Sequence, residues 1–370
     1  MSGASGLRVA VIGVGAMGSA HASALAEGRI DGARLVAVCD PDRVARERFS
    51  DVVGFGDSNQ LFASGLAEAV LIATPHWDHA PIAVRALEQG LHVLTEKPIA
   101  VHKADCEKMR RAYEERPNAA QVFAAMFSLR TDPRYLKLRE LLEARELGVV
   151  QRINWISTDW FRPDAYYQSR PWRGSFRGEG GGVLLNQCSH VLDVWQWLFG
   201  MPKRVHAFCG FGRFHPIEVE DQVTAYLEYE AGATGVFVAS TGEAPGTNRL
   251  EVTGDLGRVI VEARGLAVTR NEQSATLCSQ RNPARNSAPR SSLSSIPLAP
   301  QPQPREFVIQ NFVNAVASRV PLIAPAIEGI HSVELANAMV LSARLKETVT
   351  LPMDSARYAA ELERLVASSR

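Results

Sequence analysis

The feature that most constrains the fold is an apolar run that leads directly into a glycine-rich turn. The run Leu7–Ile12 precedes a G-x-G-x-x-G sequence at residues 13–18. Residues Ala16–Glu27 then have helical spacing, and the next apolar run, Leu35–Cys39, ends at Asp40. This order of strand, glycine turn, helix, strand and acid is the setting that the motif requires to bind a dinucleotide. The sequence therefore predicts a dinucleotide-binding βαβ unit at the start of the chain.

Each glycine of the turn has its own predicted role. Gly13 permits the tight turn, Gly15 lets the backbone approach a pyrophosphate, and Gly18 lets the helix pack closely on the strand. The phosphates are expected at the positive end of the helix dipole. Ala16 and Met17 open that helix, so they are predicted to bind the cofactor together with the three glycines.

Asp40 indicates which cofactor the turn binds. Its carboxylate can accept hydrogen bonds from both ribose hydroxyls and repels a 2′-phosphate, which favours NAD over NADP. Arg43 and Arg46 follow shortly afterwards and keep a 2′-phosphate open as the alternative.

Short apolar runs continue through the first third of the chain and alternate with helical patterns. Further strands are predicted at Ala69–Ala73, His92–Thr95 and Gln121–Phe127, with helices at Pro81–Gln89 and Lys103–Glu115. Continuous apolar strands alternating with helices are typical of a parallel sheet covered on both faces. We predict an α/β domain with a doubly wound parallel sheet at residues 1–127.

The pattern changes in residues 128–370, which we assign to a second domain of the α+β class. A helix at Pro133–Leu147 joins the two parts, and another, Gly182–Phe199, interrupts a series of longer strands. Two more helices, Glu306–Ser318 and Ile327–Lys346, close the chain. Strands in sequence with few helices between them favour an open, mostly antiparallel sheet; they are predicted at Val150–Thr158, Val205–Phe211, Asp221–Tyr229, Thr234–Ser240, Arg249–Thr253 and Arg258–Glu262. Residues 283–304 are rich in proline and serine, and we predict a loop or extended arm there.

Composition excludes several classes of protein. The 40 basic residues balance 40 acidic ones, which argues against a nucleic-acid binder. No apolar run reaches the roughly 18 residues of a membrane helix. The five cysteines are irregularly spaced, which fits free thiols in a reducing compartment rather than a disulfide framework. The N-terminus has no signal-peptide pattern, so we expect a cytoplasmic protein.

The strand His92–Thr95 ends in Glu96-Lys97-Pro98. Residues at the carboxyl end of a parallel strand face the ligand crevice. A lysine there meets the cofactor, and its pKa can be lowered enough for proton transfer. The alternative is a surface lysine paired with its neighbouring glutamate.

Three motifs together resemble the Gfo/Idh/MocA family of oxidoreductases: Gly13–Gly18, Ala73-Thr74-Pro75-His76 with His79, and Glu96-Lys97-Pro98. The resemblance implies a Rossmann domain followed by an open-faced antiparallel sheet domain. Most members oxidise or reduce a carbinol carbon of a sugar or polyol with NAD(P). It also implies that Thr74 and Pro75 flank the nicotinamide ribose, with His76 and His79 among the cofactor-binding residues. Glu96 and Lys97 are then expected beside the nicotinamide, with Lys97 touching the reacting hydroxyl.

A triple glycine at residues 180–182 opens the second-domain helix. Asn186 and His190 are four residues apart and share a helix face, and Asp193 lies near it with an expected structural role. Many family members carry Asp where Asn186 stands, and Asn cannot take up a proton near neutral pH. Lys97 and His190 therefore remain the titratable candidates for catalysis, with Asn186 directing the hydroxyl. The Asn-Gln-x-x-His pattern is similar to the branch with nucleotide-sugar and glycoside 3-dehydrogenases.

Aromatic and arginine residues cluster between the first strand of the second domain and that helix. Aromatic rings match the apolar faces of a pyranose, and arginines reach its hydroxyls. We predict that this cluster binds substrate through Trp160, Arg162, Tyr167, Trp172 and Arg173, along with Lys97, Asn186 and His190. Two alternatives remain: the rings anchor the loop to the sheet, and Arg173 touches the cofactor. Cys188 has no second Cys/His pair at ligand spacing, so no metal is predicted.

These features predict an NAD-dependent dehydrogenase acting on a ring carbinol carbon of a sugar, polyol or glycoside. One alternative is an NAD-dependent glycosidase or lyase that oxidises the sugar transiently and takes the hydride back. More remote alternatives are a non-enzymatic NAD or sugar sensor and a reductase of another small molecule such as a linear tetrapyrrole. In the strand Asp221–Tyr229, Val223, Ala225 and Leu227 lie on one face and a mixed set on the other. That mixed face predicts a homo-oligomer, a dimer or tetramer as in relatives.

Overall fold

The computed structural model describes residues 6–282, 284–299 and 301–369. Contacts divide the chain into two compact units. The first comprises Met1–Thr131 and Gln303–Val333, and the second comprises Asp132–Pro302 and Glu334–Arg370.

Residues up to 131 alternate strands with helices. The strands are β1 (Leu7–Ile12), β2 (Ala33–Cys39), β3 (Val53–Phe55), β4 (Ala69–Ile72), β5 (His92–Thr95) and β6 (Phe123–Ala125). The helices are α1 (Ala16–Ala26), α2 (Arg43–Glu47), α3 (Ser58–Ala63), α4 (His76–Glu88) and α5 (Lys103–Glu114), followed by a 3-10 helix at Ser128–Thr131. Every strand pairs in parallel, in the order β3-β2-β1-β4-β5-β6. The predicted doubly wound parallel sheet is confirmed, and the order reverses direction between β1 and β4.

The core of the first unit explains why its strands are continuously apolar. Successive side chains of a strand point to opposite faces of the sheet. Val9 and Val11 of β1 lie in one buried cluster, and Ala10 and Ile12 lie in another. Because helices cover both faces, apolar side chains are favoured on each of them.

Residues 132–302 form the main part of the second unit. Its strands are β7 (Val150–Ser157), β8 (Arg204–Phe211), β9 (Glu220–Glu228), β10 (Thr234–Ser240), β11 (Asn248–Gly254), β12 (Gly257–Glu262), β13 (Gly265–Asn271) and β14 (Ser291–Pro297). Its helices are α6 (Pro133–Glu143), α7 (Asp164–Gln168), α8 (Ser189–Phe199) and α9 (Ala275–Arg281). The predicted helix at 182–199 is shorter than expected, because residues 183–188 form turns before α8 begins.

The final segment contains α10 (Pro304–Ser318), α11 (Gly329–Leu345), β15 (Val349–Thr350) and α12 (Ser355–Ser368). Strand β15 completes a sheet with the order β14-β13-β12-β11-β7-β10-β9-β8-β15. Only β7 and β10 pair in parallel among the described strands of this sheet, so the predicted mostly antiparallel sheet is confirmed.

The proline- and serine-rich stretch is not simply a loop. Ser291–Pro297 pair antiparallel with β13 along their whole length, from Asn271 opposite Ser291 to Gly265 opposite Pro297. A strand at the edge of a sheet needs only main-chain hydrogen bonds, and the side chains of β14 are almost all exposed. Composition therefore gave no sign of this strand. Pro283 and Pro300 of the predicted loop lie outside the described residues.

The segment Gln303–Val333 packs with the first unit, whereas our sequence-based division placed it with the second. Val308 and Phe312 of α10 lie in the same buried cluster as Val9 and Val11 of β1. The main-chain N–H of Ala125 in β6 also donates to the carbonyl of Ala324, at 3.0 Å. The division differs because helix α10 covers one face of the parallel sheet.

The open sheet of the second unit has one buried face and one exposed face. Val223, Ala225 and Leu227 of β9 are buried, while Thr224 and Tyr226 are exposed, as the alternation predicts. Phe208 of the neighbouring β8 is 71% exposed. Among residues 6–282, 284–299 and 301–369, no helix is both long enough and apolar enough to cross a bilayer.

Candidate cofactor and substrate sites

The turn between β1 and α1 has room only for glycine at two of its positions. Gly13 has φ +83°, and a Cβ there would lie 2.7 Å from the carbonyl oxygen of Ala73. A Cβ on Gly18 would lie 1.7 Å from the carbonyl oxygen of Gly13. Both glycines are therefore needed for helix α1 to pack against the sheet.

Gly15 is different, because a Cβ there would have no atom of the described residues within 4 Å. It is the N-cap of α1, no side chain caps the helix, and its first turn carries no acidic residue. The amide groups of this turn thus form a positive helix end beside open space, with room for a close approach. This arrangement fits the diphosphate of a dinucleotide.

Asp40 is held in a fixed position next to the turn. Its Oδ2 accepts the main-chain N–H of Val14 at 2.8 Å, and its Oδ1 accepts that of Asp42 at 2.9 Å. Arg43 and Arg46 are the two residues that kept binding of a 2′-phosphate as the alternative. Arg46 donates to the carbonyls of Asp40 and Pro41, and the exposed Arg43 pairs with Glu47. An oriented carboxylate with both guanidinium groups engaged elsewhere favours NAD.

The role of Asp40 is testable through cofactor preference. In Asp40→Ser the carboxylate that repels a 2′-phosphate is gone, so we expect the ratio of kcat/KM for NAD to that for NADP to fall at least about tenfold, or about 1.4 kcal/mol. The matched control is Asp42→Ser, which removes a charge two residues away but keeps a good cap for α2. An unchanged ratio in Asp40→Ser, or an equal change in both variants, would contradict the assignment.

Thr74 and Pro75 lie between β4 and α4. The hydroxyl of Thr74 is buried and has no hydrogen-bond partner among the described residues. An orphaned buried hydroxyl is costly unless a ligand or water satisfies it. It is therefore a second feature that fits a bound cofactor.

The buried ring of His79 contacts the main chain of this region rather than facing a ligand. The ring is 1% exposed, with Nδ1 2.7 Å from the carbonyl of Pro98 and Nε2 2.8 Å from that of Thr74. Burial lowers the pKa of His79. His76 is also buried, with its ring centroid 6.0 Å from that of His79. His79 thus joins the loop after β4 to the loop after β5.

Glu96 and Lys97 follow β5 in the same unit, and the Lys97-Pro98 peptide is cis. The buried Glu96 accepts the main-chain N–H of Lys97 on Oε2 at 3.1 Å. Its Oε1 lies 2.8 Å from Nε2 of His21, a buried residue of α1 that the sequence analysis missed. The only sequence signal was a histidine in a helix otherwise made of small and apolar residues. This contact between Glu96 and His21 links the turn after β5, on which Lys97 lies, to helix α1.

In the second unit, the structure brings Tyr166 rather than Tyr167 to Asn186. The Oη of Tyr166 accepts from Nδ2 of Asn186 at 3.2 Å and from Arg173. Tyr167 instead donates to or accepts from Thr241 at 2.9 Å, and burial raises its pKa to about 12. The two tyrosines are adjacent in sequence, so residue type alone did not separate them.

The other predicted substrate residues lie around Tyr166. The guanidinium of Arg173 lies 4.1 Å from the ring centre of Tyr166 and 4.5 Å from that of Trp172. That of Arg162 lies 5.0 Å from the Tyr166 ring and 6.0 Å from the Trp160 ring. The predicted cluster of arginines and aromatic rings is thus assembled within this unit.

His190 stands in the first turn of α8, while Asn186 lies in the turns before it, so the two do not share one regular helix face. Asp193 is fully buried and accepts from Nε2 of Gln196 at 3.2 Å. In the part of the chain that the structure describes, no group of three or more His, Cys, Asp or Glu could hold a metal ion.

Glu220 contacts the main chain at the triple glycine of residues 180–182 and was not predicted. Its Oε1 accepts the main-chain N–H groups of Gly182 at 2.9 Å and Leu184 at 3.1 Å. Its Oε2 is buried and has no hydrogen-bond partner among the residues described. Burial raises the pKa of Glu220 to about 7.

This raised pKa makes a prediction about stability. Because the unfolded chain ionises near the ordinary value of 4.5 and the folded protein near 7, Glu220 costs stability as the pH rises between these values. Glu220→Gln cannot ionise, so its free energy of unfolding relative to the natural protein should rise across this window by on the order of 3 kcal/mol. Urea unfolding of both proteins from pH 4.5 to 8 measures this difference. A difference in the free energy of unfolding that stays constant across this pH range would contradict the prediction.

Comparisons with known families support these observations. The sequence profile of the "Oxidoreductase family, NAD-binding Rossmann fold" matches residues 7–124, and that of the "GFO/IDH/MocA C-terminal domain" matches residues 135–260. The chain is 27% identical to scyllo-inositol 2-dehydrogenase (NAD(+)) of Bacillus subtilis over 69% of this chain and 73% of that protein. It is 28% identical to inositol 2-dehydrogenase 1 of Saccharopolyspora erythraea over 71% and 76%, respectively.

Solved structures share the fold. The WlbA dehydrogenase from Bordetella pertussis, in complex with NADH and UDP-GlcNAcA, superposes with a TM-score of 0.77 at 24% identity and covers 94% of this chain and 100% of its own. Levoglucosan dehydrogenase in complex with NADH and levoglucosan gives 0.76 at 22% identity, with coverage of 94% and 100%. With both family profiles matched in order, the chain is a member of the GFO/IDH/MocA oxidoreductase family, and residues 7–124 belong to the family's NAD-binding Rossmann domain.

Proposed function

We propose that this protein is an NAD-dependent dehydrogenase that transfers hydride between nicotinamide and a ring carbinol carbon of a sugar, polyol or glycoside. The observation that carries the proposal is the first unit's combination of an open Gly15 turn, an oriented Asp40 and a Lys97 whose main chain is held at the end of β5. The inositol 2-dehydrogenases among its relatives support this class of substrate.

The residues of the first unit have distinct tasks in this mechanism. The amides at the start of α1 bind the diphosphate, and Asp40 accepts from the ribose hydroxyls. When bound, NAD supplies the hydride acceptor. Lys97 takes the proton of the substrate hydroxyl on its Nζ and returns it in the reverse direction. Glu96 and His21 hold the turn on which Lys97 stands.

Further residues of the second unit have roles in this proposal. We assign His190 as the other candidate for proton transfer and Asn186 as the residue that directs the hydroxyl. Trp172, Arg173 and Arg162 support a cyclic polyhydroxyl substrate, because the aromatic ring offers an apolar face and the guanidinium groups offer hydrogen-bond donors.

We also propose that the protein is a homo-oligomer, a dimer or tetramer, formed through the exposed face of the open sheet. Phe208 and Tyr226 lie on this face, and exposed apolar side chains of this size are typical of an interface. Sedimentation should show a mass above that of one chain, and a monomer at all concentrations would contradict this.

The free cysteines fit a reducing compartment, and we propose a cytoplasmic location.

The function is tested by incubating purified protein and NAD with a panel of inositols, free hexoses and glucosides. NADH absorbance and sugar products are followed in the same samples. NADH that rises together with a keto product supports the dehydrogenase. Aglycone release without net NADH would instead indicate transient oxidation. Bound NAD with neither signal across the panel would contradict both.

A further inference from the structure

A buried carboxylate lies one hydrogen bond away from Asn186. Glu179 is 2% exposed and immediately precedes the triple glycine. Its Oε1 accepts from Nδ2 of Asn186, and its Oε2 accepts the main-chain N–H of Gly174 at 2.8 Å. Both oxygens of this carboxylate are therefore engaged as acceptors.

The contacts of Asn186 determine which way its amide faces. A primary amide has two N–H donors on one side and a carbonyl oxygen on the other. Nδ2 donates to Glu179 and to Oη of Tyr166. If the amide were reversed, its oxygen would face the carboxylate of Glu179, and two acceptors would repel each other. The orientation with the nitrogen toward Glu179 is thus fixed by charge.

A guanidinium lies beside Glu179, and the hydroxyl oxygen of Tyr166 receives N–H donors. Arg173 lies 3.9 Å from Oε1 of Glu179 and also donates to Oη of Tyr166. Gln187 donates to the same hydroxyl oxygen at 3.3 Å. A buried carboxylate needs such a partner when it is charged. Because the Tyr166 oxygen acts as an acceptor, it also favours the orientation in which the amide nitrogen of Asn186 faces it.

We propose that Glu179 is a positioning residue that fixes Asn186 with its Oδ1 as the hydrogen-bond acceptor for the substrate hydroxyl. This inference rests on the proposed function and assigns the buried charge to position 179 and the neutral acceptor to position 186. Asn186 then orients the substrate hydroxyl, while the proton of that hydroxyl passes to a separate proton-transfer group.

The test exchanges the carboxylate and the amide. In Glu179→Gln, the new amide can donate to Asn186, so the Asn186 amide can reverse and present N–H groups to the substrate. In Asn186→Asp, two carboxylates lie within hydrogen-bond distance. In the double variant Glu179→Gln/Asn186→Asp, the amide at position 179 donates to the carboxylate at position 186, whose other oxygen again serves as an acceptor.

We expect kcat of Glu179→Gln to fall by about 10- to 100-fold, the size of effect that a misplaced reacting group produces, with the Kd for NAD unchanged. Asn186→Asp should lower the Tm. The double variant should recover most of the Tm and bring kcat to within about threefold of the natural protein, as expected of a coupled pair. The control Glu230→Gln makes the same chemical change on an exposed side chain and should leave kcat and Tm unchanged.

The possible failures are distinguishable. Natural protein that turns over none of the panel would overturn the proposed function and this assignment with it. Turnover by the natural protein with wild-type kcat in Glu179→Gln would overturn only the positioning role. A double variant that regains its Tm but remains as slow as Glu179→Gln would show a purely structural pair and would also overturn it.

Discussion

Lys97→Met is expected to lose about 10²- to 10⁴-fold in kcat, the range that a positioned proton-transfer group contributes. Methionine keeps the length of the side chain but cannot exchange a proton. Because we assign the diphosphate and ribose contacts to Gly15 and Asp40, we expect the Kd for NAD to change little. Stopped-flow measurement of NADH formation and fluorescence titration of NADH separate the two effects.

The matched control is Lys108→Met, which removes an exposed lysine of α5 that pairs with Asp105. It should leave kcat unchanged. Near-normal turnover in Lys97→Met would rule out Lys97 as the proton carrier. A loss of NADH binding equal to the loss of turnover would indicate a cofactor contact instead.

The second large effect is a contrast between two glycines three residues apart. Gly15→Ala places its methyl group in open space, so the Tm should stay within a few degrees of that of the natural protein. That methyl group would occupy the space that we assign to the diphosphate, so we expect the Kd for NADH to rise at least about 100-fold, or about 2.7 kcal/mol.

Gly18→Ala should behave in the opposite order. Its Cβ would overlap the carbonyl oxygen of Gly13, so α1 has to move away from the sheet and the Tm should fall well below that of Gly15→Ala. Thermal unfolding of both variants without cofactor measures this. Equal Tm values for the two variants would contradict the roles assigned to the turn.

The cofactor turn is readable from the sequence because it is local. Gly13, Gly18 and Asp40 belong to consecutive elements, and their roles follow from one strand, one helix and one turn. The doubly wound sheet is equally readable, since burial on both faces leaves a continuous apolar signal in each strand. Strand β14 leaves no such signal, because an edge strand can consist of serine as long as its main chain pairs.

Much of the candidate site depends on contacts that sequence spacing does not encode. His21 meets Glu96 across 75 positions of the chain, and Glu220 reaches Gly182 across 38. Tyr166 rather than Tyr167 contacts Asn186 because the two side chains project in different directions from the short helix α7. Glu179 precedes the triple glycine, and its contacts with Gly174 and Asn186 form only in the folded loop.

The return of α10 to the first unit has a consequence for how the chain folds during synthesis. The parallel sheet is translated first, yet Val308 and Phe312, which cover one of its faces, are made only after most of the second unit. Until then part of that face exposes apolar side chains, which is the condition under which chains aggregate or recruit chaperones. A fragment that ends near residue 131 should therefore be a poor substitute for the Rossmann domain. Helix α10 ends at Ser318, so the sheet is fully covered only once nearly the whole chain has been synthesised.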